Sequence, residues 1–177
     1  MTLSITVLVA VLFSVWLIVC AICDWRNNEI HNLLTLIPLI GAVLWSALNG
    51  NAPASIFAAM AMFAINFERT PAVLLAVLSL AFAIILIIFT SGISIENTLP
   101  IILIFVFLML WIFEKTGGAD FKIIATIILL FGSPAFMYAV VAGGLAGIIA
   151  LVLKKKDLPY VIPIAAGTII YFIVRLI

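Results

Sequence analysis

The stretch "GGADFKIIATIILLFGSPAFMYAVVAGGLAGIIALVLKKKD", residues 117–157, decides the class of fold. Between Asp120 and Lys154 its only charge is Lys122. A bilayer core about 30 Å thick needs about 20 apolar residues rising about 1.5 Å each. The stretch is long enough for that, and "GSP" at 132–134 punctuates it, which predicts two helices over 121–132 and 135–153. Asp120 follows two glycines and opens the apolar run. A charge in lipid costs several kcal/mol, so an acid retained there calls for a reason.

The rest of the chain has the same character. Of 177 residues, 68% are hydrophobic and 8% charged, with a mean hydropathy of +1.49. That composition excludes a soluble domain and predicts an integral membrane protein. Lipid offers no hydrogen-bond partner to exposed backbone, so the spans are expected to be helices. Further apolar runs cover 3–23, 33–48, 54–66, 72–90, 100–113 and 160–177. The expectation is an all-α, polytopic membrane bundle of about eight helices, forming one domain over 1–177. The third and sixth runs are short for a span. The first run lacks a basic region and an A-x-A site, and reads as a retained span instead of a removable leader. "AGGLAGI" at 142–148 reads as a helix-packing stripe.

Charge sets the expected topology. If all eight runs cross, the loops at 24–31, 67–70, 114–122 and 154–157 share one side. They hold Arg26, Arg69, Lys115, Lys122, Lys154, Lys155 and Lys156, seven of the eight basic residues. That side is then cytoplasmic and the N-terminus outside. Six of the seven acids, Asp24, Glu29, Glu68, Glu114, Asp120 and Asp157, fall on the same side, and only Glu96 lies opposite.

Asp24 ends the first apolar run and Asp120 begins the sixth, so the two are expected at matching depth. Two carboxylates that close cannot both ionise. One then serves as base toward a water while the other, protonated, polarises a carbonyl. With Asp24 at a helix C-terminus and Asp120 at a helix N-terminus, the dipoles place the shared proton on Asp24. Gly117 and Gly118 would let the backbone turn tightly or open beside a substrate strand; the plainer reading of Asp120 is a first-turn helix acid. Lys122 reads chiefly as a cation snorkelling to the interface, or else as a partner of the acids or of a substrate carbonyl. Arg26 and Glu29 are spaced to pair, Asn32 to cap the second helix, and Lys154–Lys156 to anchor the chain at anionic lipid. Glu29, Glu68 and Glu114 are solvated loop acids, or attract a basic segment. Cys20 and Cys23 form a C-x-x-C pair, but His31 is the only histidine. The pair therefore reads as helix packing, with no metal and no cofactor expected.

The stretch "DWRNNEIHNLLTLIP" resembles the first aspartate motif of the type IV prepilin peptidases, D-x-R followed by I-P-N-x-L-T. Asp24, Arg26, Ile30, Asn32, Leu34 and Thr35 match in register. "GGADFKIIATIILLFG" resembles the G-x-G-D motif of the same family through Gly117, Asp120, Lys122, Ala125 and Gly132. "LPYVIPIAAG" is similar to its P-F-x-x-P segment through Pro159, Tyr160 and Pro163. His31 stands where the family has proline, and Ala119 replaces the second motif glycine beside Gly118.

The resemblance implies a GxGD aspartic endopeptidase of the cell membrane that removes the short basic leader of prepilin or archaellin precursors on the cytoplasmic side. Asp24 and Asp120 would be its catalytic pair, with Arg26, Asn32, Gly117, Gly118, Ala119 and Lys122 as motif residues. The family's zinc-binding insert is absent, so its methyltransferase activity is not implied. Against a family core of about six helices, residues 53–98 would be a two-span insertion. A presenilin-like or signal-peptide-peptidase-like protease is an alternative, though Cys23 stands where those have tyrosine before the first acid and no P-A-L follows. A small ion- or proton-coupled transporter using Asp24 and Asp120 as ion sites is another.

Overall fold

Where each apolar run meets its first backbone-breaking or capping residue, a helix begins or ends. The computed structural model describes residues 3–27, 29–65, 69–90, 94–152 and 159–176. Its helices are α1 (Leu3–Asn27), α2 (Asn32–Leu48), α3 (Ala52–Ala64), α4 (Arg69–Thr90), α5 (Ile95–Ile112), α6 (Gly118–Val152) and α7 (Val161–Leu176). Glu68 and the basic stretch 154–157 lie outside the described residues. By length and composition α1, α4, α5 and α6 can each cross a bilayer, as in a multi-pass membrane protein, whereas α2, α3 and α7 are shorter.

Among the described residues there are seven helices in place of the eight expected, because the runs 121–132 and 135–153 join in α6. The expected punctuation is nevertheless there. Gly132 has φ 77 and ψ −174 inside α6, a conformation essentially confined to glycine. Pro134 then falls in the first turn of the renewed helix, where its missing N–H and fixed φ do no harm. Of the expected two-span insertion over 53–98, only α4 is long enough to cross. α3 has 13 residues, about 20 Å at 1.5 Å each.

The chain forms two compact units, one of Met1–Leu34 with Pro134–Ile177 and the other of Thr35–Ser133. In the first, α1 and α7 run antiparallel. Phe13 meets Phe172 edge-on at 6.2 Å, and at the opposite ends Val161 N–H donates to Asp24 Oδ2. Gly167 is needed for close approach, since a Cβ there would lie 2.3 Å from the Tyr138 carbonyl oxygen. Trp16 Nε1 donates to the Leu34 carbonyl at 2.8 Å. Pro38, inside α2, has no N–H for that i−4 carbonyl, so the indole fills the vacancy.

In the second unit α3, α4 and α5 pack against one another. Their buried stripes are Ala54, Phe57, Ala58, Ala61 and Ala64 on α3; Ala72, Ala76, Ser79 and Ala83 on α4; and Ile101, Ile104 and Leu108 on α5. Small residues at three- and four-residue spacing let helices approach without side chains holding them apart. The stripe expected at 142–148 is not of this kind. A Cβ at Gly143, Gly144 or Gly147 would meet nothing within 4 Å.

Two helix ends show how the chain turns. Ser94 caps α5, its hydroxyl accepting from Asn97 N–H at 3.3 Å. Half of the loop expected before residue 100 is thereby drawn into the helix. At the far end Lys115 N–H donates to the Leu110 carbonyl and Glu114 N–H to that of Trp111. This is a Schellman closure, in which Glu114 takes the left-handed position (φ 57) that glycine usually fills.

Candidate functional site

Asp24 lies within the last turn of α1, because α1 continues to Asn27 instead of ending at Cys23. Its Oδ2 accepts the Val161 N–H at 3.2 Å. Val161 is the first residue of α7, where backbone N–H groups lack partners within the helix. The contact seats the first aspartate stretch beside the segment Pro159–Tyr160, across 137 positions of sequence. It also reverses the dipole argument for Asp24. The carboxylate faces the positive N-terminal end of α7, which offsets the unfavourable end of α1.

Asp120 is the third residue of α6, and its Oδ2 accepts the Gly117 N–H at 3.2 Å. This is the acid half of a capping box, the side chain reaching back to the backbone just before the helix. Both acids therefore accept a backbone N–H at a helix N-terminus. Residues with positive φ are Gly50, Gly132 and Glu114 among those described. The tight turn before Asp120 is thus made at Glu114 and not at the two glycines. Gly117 matters through space instead: a Cβ there would lie 3.3 Å from Asp120 Oδ2. At Gly118 a Cβ would rest in ordinary contact, 3.6 Å from Trp111 Nε1 and 3.7 Å from Ile65. Next to Gly117, Thr116 Oγ1 is buried with no hydrogen-bond partner among the described residues.

Other expected site residues shift role. Lys122 is 9% exposed, so it does not snorkel to open surface; the first half of α6 buries Phe121 to Leu129 on every face. Its carbonyl accepts the Thr126 hydroxyl at 2.7 Å. Arg26 and Glu29 are exposed, and no ion pair joins them among the described residues. Asn32 is the first residue of α2 and not its cap. The capping side chain is His31, whose Nδ1 accepts from Leu33 N–H at 3.4 Å. Cys20 is a buried free thiol and Cys23 a half-buried one. No group of three metal-ligating side chains occurs among the described residues.

Asp24 belongs to the first unit and Asp120, with Gly117, Gly118, Ala119 and Lys122, to the second. Beside Asp24, α1 and α7 form an open apolar groove of about 520 Å³ with Trp25 and Arg26 at its mouth. Sequence reasoning missed Val161, Thr116 and Trp111 at these sites. Val161 is reached only across the fold, whereas the polar Thr116 immediately before the glycine pair was a signal within "KTGGAD". Comparison with protein-family models, curated proteins and solved structures finds no match to this chain.

Proposed function

We propose that the chain is a membrane-embedded aspartic endopeptidase with Asp24 and Asp120 as its catalytic pair, removing the basic leader of prepilin-like or archaellin precursors at the cytoplasmic face. The observation that carries this reading is the hydrogen bond from Val161 N–H to Asp24. Two of the three stretches that resemble the prepilin peptidases are adjacent through it, as parts of one site would be. The capping of Gly117 by Asp120 supports it further, since the second acid is oriented by its own G-x-x-D stretch.

In the proposed reaction one carboxylate takes a proton from water while the other, protonated, donates toward the scissile carbonyl oxygen. The tetrahedral intermediate collapses as the leaving amine gains a proton, and the pair returns to sharing one. The backbone N–H bonds at Val161 and Gly117 hold each carboxylate in place for this. Coexpression with prepilin and archaellin precursors in membranes tests the reading. The native chain cleaves a precursor, while Asp24→Asn and Asp120→Asn leave it intact at equal membrane abundance; cleavage by either variant would remove that acid from catalysis.

The transporter reading has one feature in its favour, the break in α6 at Gly132. Discontinuous helices in transporters occur at corresponding places in two repeats. Among the described residues no second helix has non-helical backbone in its interior. Proton uptake by vesicles carrying the Asn variants separates the two readings.

A further inference from the structure

The groove between α1 and α7 is built by two matching stripes. Ile18, Ala21, Ile22 and Trp25 on one helix face Ile162, Ala165, Ala166 and Ile169 on the other, each at spacing 0, 3, 4 and 7 on a single helix side. The alanines shorten both walls and leave the volume of about 520 Å³ open. From Ile18 to Trp25 the groove descends about 10 Å along α1.

Its mouth differs in chemistry from its walls. Trp25 is 68% exposed there, and Arg26 is the one charged lining residue. Arg26 makes no ion pair among the described residues. The carboxylate of Asp24 does not supply a counter-ion, being turned to Val161 N–H. An exposed tryptophan beside an arginine marks the headgroup level of a bilayer, and basic side chains there attract anionic lipid. We infer that this groove is a site for one anionic phospholipid, an acyl chain lying between α1 and α7 and the headgroup phosphate on the Arg26 guanidinium. The site does not depend on the peptidase reading.

Quenching of Trp25 fluorescence tests it in the full chain, reconstituted into phosphatidylcholine nanodiscs. The Trp25 signal is the difference between the native protein and Trp25→Phe. Brominated phosphatidylglycerol is expected to reach half-maximal quenching at a mole fraction about fivefold lower than brominated phosphatidylcholine, the size of preference one basic residue gives. Arg26→Gln equalises the two lipids while retaining quenching. Ala166→Phe, which fills the groove from its exposed side, reduces quenching by both. Unlabelled phosphatidylglycerol displaces the probe, and inorganic phosphate does not. Equal half-points for the two lipids in the native protein would overturn the site, as would an anionic preference that survives Arg26→Gln. Displacement by an apolar helical peptide but not by unlabelled phosphatidylglycerol would give the groove to a peptide instead.

Discussion

At the scale of single residues, the space beside Asp120 distinguishes two neighbouring glycines. A methyl group on Gly117 presses on the carboxylate at 3.3 Å, whereas one on Gly118 makes ordinary contacts. Gly117→Ala is therefore expected to lower precursor cleavage at least about tenfold by displacing Asp120, since small misplacements of a reacting group are costly. Gly118→Ala is expected to stay within about threefold of the native rate. Equal losses in a membrane cleavage assay would show that the glycines act through backbone freedom instead. The acids themselves were legible as charges that lipid should not tolerate. Their partners were not. Val161 lies 137 positions from Asp24, and an N–H at the start of a helix carries no signal in side-chain chemistry. The burial of Lys122 was hidden for a related reason: a lysine near the end of an apolar run looks the same whether it reaches water or is enclosed by neighbouring helices.

At the scale of elements, the apolar runs gave helix positions well because lipid forces each run into a helix. Ends were less legible where capping chemistry overrode polarity. α5 begins at Ile95 through Ser94, and α1 extends to Asn27 across charged residues that looked like loop. The break in α6 was legible as "GSP", but its backbone depends on Gly132 alone. Gly132→Ala forces a side chain into a glycine-only region and is expected to destabilise the protein by about 1–3 kcal/mol, read as a lower midpoint of thermal unfolding in detergent. An unchanged midpoint would mean that the break relaxes into continuous helix. Trp16→Phe keeps the ring but leaves the Leu34 carbonyl without its 2.8 Å donor, at an expected cost of about 1–3 kcal/mol. Pairing it with Pro38→Ala, which returns an N–H to that carbonyl, should recover part of the loss in the same assay.

At the scale of the whole molecule, four helices long and apolar enough to cross a bilayer suggest a multi-pass membrane protein, its active site proposed to lie at the cytoplasmic face. In a background lacking Cys20 and Cys23, cysteines at Asn27 and Glu114 are expected to react with an impermeant maleimide from the cytoplasmic face only. One at Ser94 should react from the opposite face only. Labelling of Asn27 and Glu114 from opposite faces would refute a shared site for Asp24 and Asp120. The central claim is that these two acids act as one catalytic unit, and groups acting as a unit lose their effect non-additively. The most direct measurement is the rate of precursor cleavage by the native chain, Asp24→Asn, Asp120→Asn and the double variant, at matched amounts in membranes. All three variants should fall to the same residual rate, at least about a thousandfold below native. A double variant slower than either single by the product of their separate losses, or a single variant with native activity, would contradict the pair.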